Sequence, residues 1–211
     1  RTPLNGVLGF ARIGLRDHPH DPAGRVFANI LESGKLLLGV VNDILDYSKI
    51  EAGKMQLEKV PVDLHLLLRN AVEAQRERAE ARQLQITVDI APELPAVCRS
   101  DPLRLGQILG NLLTNALRHT PQGRRVDVTS TSTPDAVTIS VADTGQGMTA
   151  EQLAHIFERF YRLEKSRSKE LGGTGLGLAI VKHAALYHGG EVFVESEEDV
   201  GTRFTVRLPI G

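Results

Sequence analysis

The sequence lacks the means to form an internal disulfide, because Cys98 is its single cysteine. One unpaired cysteine is compatible with a reducing compartment. Tryptophan is absent and aromatic residues make up only 4% of the chain, so a core must be built mainly from leucine, valine, isoleucine and alanine. Hydrophobic residues nevertheless reach 41% of the 211 residues, which is enough for one or two folded domains.

The sequence also lacks a strong charge bias and any long apolar run. Its 25 lysines and arginines and 26 aspartates and glutamates leave a net charge of -1, which gives no electrostatic basis for binding nucleic acid or an anionic membrane surface. No apolar run reaches the ~18–20 residues that span a bilayer. No signal peptide is visible, and because the chain begins at Arg1 rather than at a methionine, we expect a fragment of a longer protein.

The first fifty residues predict an antiparallel pair of helices. Over residues 3–17, apolar residues share one helical face at spacings of four, three and four: Leu4, Leu8, Ala11 and Leu15. The segment DHPHDPAG ends that helix. Over residues 25–51, two rows repeat every seven residues: Ile30, Leu37 and Ile44, and Val26, Ser33, Val40 and Tyr47. A second copy would complete this seam as a dimeric four-helix bundle, and packing against the rest of this chain is the alternative.

The remaining sequence predicts a mixture of helices and strands. Strands are predicted at 55–62, 84–90, 125–133, 136–143, 190–196 and 202–208, and helices at 64–82, 102–118, 149–156 and 176–188. Asp63 and Asp101 are expected to cap the first two of these helices. Adjacent strands among helices favour an α/β sandwich, with helices on one face of a mostly antiparallel sheet. We therefore expect a helical hairpin domain over 1–54 and a second domain over 55–211.

Polar side chains in the stretch QILGNLLTNALRHTP suggest a ligand site on a helix. Asn111, Asn115 and Arg118 are spaced by four and three residues, which places them on one helical face. Asparagines that form hydrogen bonds within the core are the alternative interpretation.

The stretch VADTGQGM places an acidic residue at the end of a predicted strand. Asp143 is followed by Gly145 and Gly147, which let a flat ring approach the backbone closely. A carboxylate in this position can accept a hydrogen bond from the amino group of a base. A plain turn would give the same pattern.

The stretch GGTGLGLAIVKH leads from glycines into an apolar helix. The N–H groups at such a helix N-terminus can bind phosphate. The spacing of Gly173, Gly175 and Gly177 does not fit the dinucleotide-binding pattern, and the Walker pattern is also absent. The sequence therefore predicts a phosphate loop of a different architecture.

Together these stretches resemble the conserved boxes of sensor histidine kinases. In order and spacing they are similar to the N box, the first glycine box, the F box (FERFYR) and the second glycine box of that family. The front half resembles its dimerisation and phosphoacceptor hairpin, and RTPLNGVLGF and DILDYSKIEAGKMQLE are most similar to the hybrid kinases. The resemblance covers essentially the whole chain and implies an ATP-dependent protein histidine kinase of a two-component system.

The resemblance implies that Mg-ATP binds and that its γ-phosphoryl group passes to a histidine. In the family that histidine lies three residues upstream of the position matched by Arg1, outside this chain. His18 and His20 are poor substitutes, because they lie among prolines in the predicted turn. Thr2 would then lie one helical turn after the acceptor, where the family orients water for phosphatase activity; a helix cap is the alternative.

The resemblance also implies a role for each polar residue of the nucleotide site. Asn115 matches the Mg²⁺ ligand. Asn111 stands where related ATPases carry an acidic base that activates water, which favours transfer to histidine over hydrolysis. Arg118 would neutralise phosphate charge, Asp143 would accept from the adenine amine, and Thr202 would support Asp143 from a neighbouring strand.

The glycine boxes and the loop between them would complete the nucleotide site. Gly145 and Gly147 would shape the adenine wall. The lid hinge and phosphate cradle would comprise Gly173, Thr174, Gly175, Leu176 and Gly177. Lys165 in the lid would either reach phosphate or remain a solvated charge.

The resemblance finally implies partners and a compartment. A homodimer would pass the phosphoryl group to an aspartate of a response-regulator receiver domain, and no nucleic acid is expected. The catalytic core would be cytoplasmic, with a membrane reached only through segments outside this chain. A catalytically silent nucleotide-binding scaffold is one alternative, and a hydrolysing ATPase or a serine kinase of the same superfamily is another.

Overall fold

The computed structural model describes residues 2–162 and 174–210, and within these ranges it contains seven helices and seven strands. The helices are α1 (Thr2–Asp17), α2 (Pro22–Glu51), α3 (Leu64–Glu73), α4 (Arg76–Ala81), α5 (Pro102–His119), α6 (Ala150–His155) and α7 (Gly177–Tyr187). The strands are β1 (Val60–Asp63), β2 (Gln85–Ile90), β3 (Val97–Ser100), β4 (Arg125–Ser132), β5 (Ala136–Asp143), β6 (Glu191–Glu197) and β7 (Gly201–Pro209). The expected helical part followed by an α/β sheet domain is confirmed.

The hairpin of α1 and α2 turns more tightly than the sequence predicted. Helix α2 begins at Pro22 rather than at Arg25, because Asp21 caps it by accepting from the Gly24 N–H at 3.0 Å. The two helices pack closely at Gly34, where an added Cβ would lie 2.7 Å from Leu8 Cδ2. None of the described helices is long and apolar enough to cross a bilayer.

The second part of the chain is a five-stranded sheet covered by helices on one face. The strand order is β2-β4-β5-β7-β6, with β2 and β4 parallel and the other pairs antiparallel. Helices α3, α5 and α7 close the core over the sheet, and Leu112 and Leu113 of α5 are completely buried within it. Strands β1 and β3 form a separate antiparallel pair beside this sheet.

Two predicted elements in the second part have different bounds in the structure, and one strand was not predicted. The strand expected over 55–62 is shorter, because β1 pairs only over four residues with β3, from Val60↔Ser100 to Asp63↔Val97. Strand β3 itself was missed, since four residues carry too little periodicity. The helix expected over 64–82 is interrupted at Gln75, and the second segment, α4, brings Ala79 into the core.

The C-terminal half of α2 contacts the sheet domain through polar side chains. Asp46 forms a 2.9 Å ion pair with Arg104 at the start of α5, and Gln107 donates to the same carboxylate at 2.9 Å. Glu51 pairs with Arg159 at 2.7 Å. The alternative that α2 packs against its own chain is therefore realised along this face. The predicted seam stays exposed: Ile30, Leu37 and Ile44 are 39%, 52% and 46% accessible.

Candidate nucleotide site

Helix α5 presents one apolar and one polar face, and the polar face carries the predicted site residues. Asp101 fixes the start of the helix by accepting from the N–H groups of Leu103 and Arg104, both at 3.0 Å. The apolar face is buried against the sheet. Asn111, Asn115 and Arg118 lie on the opposite, partly exposed face, as the spacing predicted.

Asn111 has an amide group that the described residues leave unsatisfied. Its Nδ2 is buried and has no hydrogen-bond partner among them, a condition that folded proteins rarely tolerate. Its Oδ1 faces the start of α7, where a Cβ added to Gly177 would lie 3.3 Å away. The structure thus brings the N box and the second glycine box together. A polar group entering between them would satisfy the amide.

Asp143 lies at the end of β5 and is only 8% accessible. Burial raises the pKa of its carboxyl to about 6, although backbone N–H groups of Gly145 and Thr202 act in the opposite direction. The Gly145 N–H donates to Oδ1 at 2.8 Å. Thr202 is the register partner of Asp143 on β7, and its hydroxyl lies 2.8 Å from that of Ser196 on β6. The predicted proximity of Thr202 and Asp143 is present in the structure.

Close backbone approaches explain two of the predicted glycines. A Cβ on Gly145 would lie 2.5 Å from the His119 carbonyl oxygen, so a side chain there would push the loop away from α5. Gly147 has a φ of +65° and its backbone runs against the Glu197 carbonyl, which a Cβ would overlap at 1.8 Å. These contacts hold the loop after Asp143 between α5 and the end of β6.

The second glycine box begins within the described residues at Thr174. The Leu176 N–H donates to the Thr174 hydroxyl at 3.1 Å. Gly175 has a φ of +70° and accepts a hydrogen bond from the Phe160 N–H at 3.0 Å. Helix α7 then begins at Gly177. Lys165 and Gly173, the other predicted residues of this region, lie outside the described residues.

The structure separates one predicted site residue from the rest. Thr2 is exposed at the beginning of α1 in the hairpin, whereas the other described candidates lie in the sheet domain. The sequence analysis missed Asp43 of α2, which accepts from the Thr174 hydroxyl at 3.0 Å. Burial raises the pKa of Asp43, Thr174 lowers it and Asp46 raises it. No sequence signal pairs residues 131 positions apart, so this link between hairpin and glycine box required the structure.

Residues 100–211 match the family described as Histidine kinase-, DNA gyrase B-, and HSP90-like ATPase. The chain belongs to this ATPase family. Residues 1–53 match the His Kinase A (phospho-acceptor) domain. The resemblance to sensor histidine kinases is therefore confirmed, in the hairpin as well as in the domain of the ATPase family.

Relatives of this ATPase-family chain are sensor proteins of greater length. Sensor protein GacS of Pseudomonas syringae pv. syringae is 36% identical over 214 residues, covering 100% of this chain and 24% of GacS. Autoinducer 2 sensor kinase/phosphatase LuxQ of Vibrio cholerae is 39% identical over 213 residues, covering 100% of this chain and 25% of LuxQ. The chain thus spans about a quarter of the length of these relatives.

A solved structure is similar to this chain over its whole length. The crystal structure of full-length ShkA in complex with AMPPNP superposes with a TM-score of 0.83 at 35% identity. The match covers 100% of this chain and 44% of that chain.

Proposed function

We propose that this chain is the catalytic core of a sensor histidine kinase, which binds ATP and transfers its γ-phosphoryl group to a histidine. The observation that carries the proposal is the presence, in one chain, of a phosphoacceptor-type hairpin and an ATPase-family domain with a buried carboxylate and an unsatisfied asparagine amide. The names of GacS, LuxQ and the AMPPNP complex of ShkA support it. We place the nucleotide site in the cytoplasm, because ATP is available in that compartment.

The adenine base would bind against Asp143. The Gly145 N–H already donates to one oxygen of the Asp143 carboxylate. The other oxygen would accept a hydrogen bond from the exocyclic amino group of adenine. Gly145 and Gly147 would form the adjoining wall. The phosphates would then extend toward the N-terminus of α7, into a cradle of Gly173, Thr174, Gly175, Leu176 and Gly177. Backbone N–H groups that are not already bonded, as that of Leu176 is to the Thr174 hydroxyl, would bind them there.

Asn115 would hold Mg²⁺ through its side-chain oxygen. The residues present fit this ion, because the Asn115 side chain offers a hard oxygen donor on the partly exposed face of α5, one helical turn from the unsatisfied Asn111 amide. Mg²⁺ commonly binds through one or two protein oxygens together with substrate phosphates and waters. When bound, the ion would neutralise charge on the phosphates. Arg118, and Lys165 of the lid, would add positive charge on the protein side.

Phosphoryl transfer would use a histidine nitrogen as nucleophile. The bond between the γ-phosphorus and the bridging oxygen of ADP breaks, a nitrogen–phosphorus bond forms, ADP leaves, and the imidazole loses its proton. We place this histidine three residues upstream of Arg1. Asn111 cannot act as a base, so the site would not activate water efficiently. An aspartate of a receiver domain would then accept the phosphoryl group, and Thr2 would orient water in a reverse, phosphatase reaction.

The active form would be a homodimer joined through the hairpin. An apolar face remains exposed on both of its helices: Val7, Phe10, Ile13, Val26, Ile30, Leu37 and Ile44. Exposed large apolar side chains in this number on two paired helices are typical of a protein interface. Two copies packed on it would form a four-helix bundle with two-fold symmetry.

Equilibrium binding and an ATPase assay together test the proposal. We expect the chain to bind a fluorescent ATP analogue in the presence of Mg²⁺ and to hydrolyse ATP only slowly. Rapid turnover of ATP without a histidine acceptor would instead favour the hydrolysing ATPase. Absence of saturable nucleotide binding would contradict the proposal.

A further inference from the structure

The carboxyl end of α5 is held by an arginine from another element. The last carbonyl groups of a helix have no partner within it and need external donors. Arg82, directly after α4, supplies them: its Nη1 donates to the carbonyls of Leu117 and Arg118, and its Nη2 donates to that of Thr120. The Arg118 and Thr120 bonds measure 3.2 and 3.1 Å. The remaining carbonyl, that of His119, accepts from the Gln146 N–H at 3.4 Å.

Further contacts hold the Arg82 turn against the end of α5. Gln83 has a φ of +53°, a strained backbone for a residue with a side chain, and its Oε1 accepts from Gln122 at 2.8 Å. The Gln85 N–H donates to the Arg124 carbonyl at 3.0 Å. The strain is thus balanced by contacts to the segment that follows α5.

We infer that Arg82 is a positioning residue for the phosphates of the nucleotide. The inference rests on the proposed function, because it acts through Asn115 and Arg118, which lie in the last turns of α5. By fixing three carbonyls of that helix end, the guanidinium sets the direction in which these two side chains point. Within the described residues the hydrogen bonds of Arg82 go to backbone carbonyls, so it acts by positioning and is not a catalytic residue.

Geometry and charge both favour arginine at this position. Its planar fork reaches the carbonyls of Leu117, Arg118 and Thr120 at once, whereas a lysine offers one compact ammonium group. The negative end of the α5 dipole lies beside the proposed phosphates and would oppose their binding, and a cation bonded to the carbonyls compensates it.

The two halves of the nucleotide should depend on Arg82 to different extents. Asp143 and Thr202 are held chiefly by the strand pairing of β5 and β7, and α5 touches this side through the His119 carbonyl, which the loop after Asp143 approaches. Asn115 and Arg118 depend on the helix that Arg82 holds. Loss of Arg82 should therefore weaken binding of the triphosphate more than binding of the nucleoside, whereas general loosening of the fold would weaken both alike.

The test compares dissociation constants for Mg-ATP and for adenosine, measured by competition against a fluorescent nucleotide below the melting temperature of every variant. For Arg82→Gln we expect the Mg-ATP constant to rise about tenfold, as the loss of one or two hydrogen bonds to the phosphates would cause, and the adenosine constant to change less than about threefold. Arg82→Lys should recover only a minor part of the loss. Arg78→Gln is the matched control: it removes a nearby exposed charge, and screening should keep its effect within about twofold.

Three results would overturn the inference. They are wild-type affinity in both Arg82 variants, full recovery by Arg82→Lys, and equal losses for Mg-ATP and adenosine. If Arg82→Gln does not fold, the inference is judged from the Mg-ATP and adenosine dissociation constants of Arg82→Lys, measured below the melting temperature of that variant. An unsubstituted chain that binds no ATP would contradict the proposed function itself, whereas normal binding with unaffected variants would contradict only the role of Arg82.

Discussion

At the scale of single residues, Asp143 shows how a binding role conflicts with stability. A carboxylate that is 8% accessible is costly to bury, and its raised pKa of about 6 expresses that cost. Two backbone donors offset part of it. Such a residue stabilises the fold poorly and is better explained by a ligand that needs an acceptor, which is the proposed adenine amine.

The first prediction concerns nucleotide affinity. Asp143→Asn should weaken ATP binding by ~1–3 kcal/mol, the range for leaving a buried polar partner unsatisfied. Titration with a fluorescent nucleotide measures this loss. Thr205→Ser, which keeps the hydroxyl facing Ser140 farther along the same strand pair, is a suitable control. Unchanged affinity in Asp143→Asn would contradict the assignment of the adenine pocket.

The second prediction concerns the pH dependence of stability. The pKa of Asp143 is raised from 3.8 to about 6 in the folded chain, so between these values the folded state binds the proton more tightly than the unfolded state. The free energy of unfolding contributed by this group therefore falls as pH rises through that window and is lowest above about pH 6. Compared with Asp143→Asn, the wild-type chain should lose roughly 2 kcal/mol between pH ~4.5 and pH ~7.5.

Urea unfolding of both proteins at the two pH values measures that difference. A constant difference between wild type and variant would show that the carboxyl keeps its ordinary pKa in the folded state.

At the scale of elements, α2 is joined to the sheet domain by two ion pairs that differ in burial. The side chains of Asp46 and Arg104 are 15% and 11% accessible, whereas those of Glu51 and Arg159 are 56% and 53% accessible. Nearby, Tyr47, Phe157 and His183 line a groove of about 420 Å³ between hairpin and sheet domain. Because these ion pairs lie beside an open groove, we expect the hairpin and the sheet domain to separate when the buried pair is lost.

The third prediction follows from this difference in burial. Asp46→Asn should destabilise the docked arrangement by about 1.5–3 kcal/mol, because it leaves Arg104 and Gln107 without their shared charged acceptor. Glu51→Gln, the matched control, should cost less than about 1 kcal/mol, as exposed pairs contribute little. Small-angle scattering should show a larger radius of gyration for Asp46→Asn alone. Equal scattering profiles would contradict the predicted role of Asp46.

Elements with strong local signals were predictable, and those defined by distant contacts were not. Helix α5 has a capping aspartate, a proline at its start and a regular apolar face, so its extent and its polar face were anticipated. Strand β3 exists because β1 lies beside it, and α4 is separated from α3 by packing of Ala79. The contacts of Asp43 with Thr174 and of Arg82 with α5 cross more than thirty residues of sequence, where periodicity carries no information.

At the scale of the whole molecule, assembly depends on the face of the hairpin that remains exposed. The fourth prediction is that Leu37→Asp prevents dimer formation, because it places a charge in the centre of the apolar seam. Light scattering should show a dimer for the wild-type chain and monomers or aggregates for the variant. Lys35→Asp, at an exposed position two residues away, should leave the dimer intact. A wild-type chain that remains monomeric at high concentration would contradict the prediction that the apolar seam is a dimer interface.

Autophosphorylation with radiolabelled ATP, followed by mapping of the labelled site, tests whether the chain transfers phosphate to a histidine upstream of Arg1. It compares this chain with one extended upstream through the proposed acceptor. We expect both chains to bind Mg-ATP, only the longer chain to be labelled, and the label to be acid-labile and base-stable, as expected of a phosphohistidine. Asn115→Ala in the longer chain should abolish labelling. Labelling of His18, His20 or another histidine of the 211 residues, or a longer chain that binds Mg-ATP and stays unlabelled, would contradict the account.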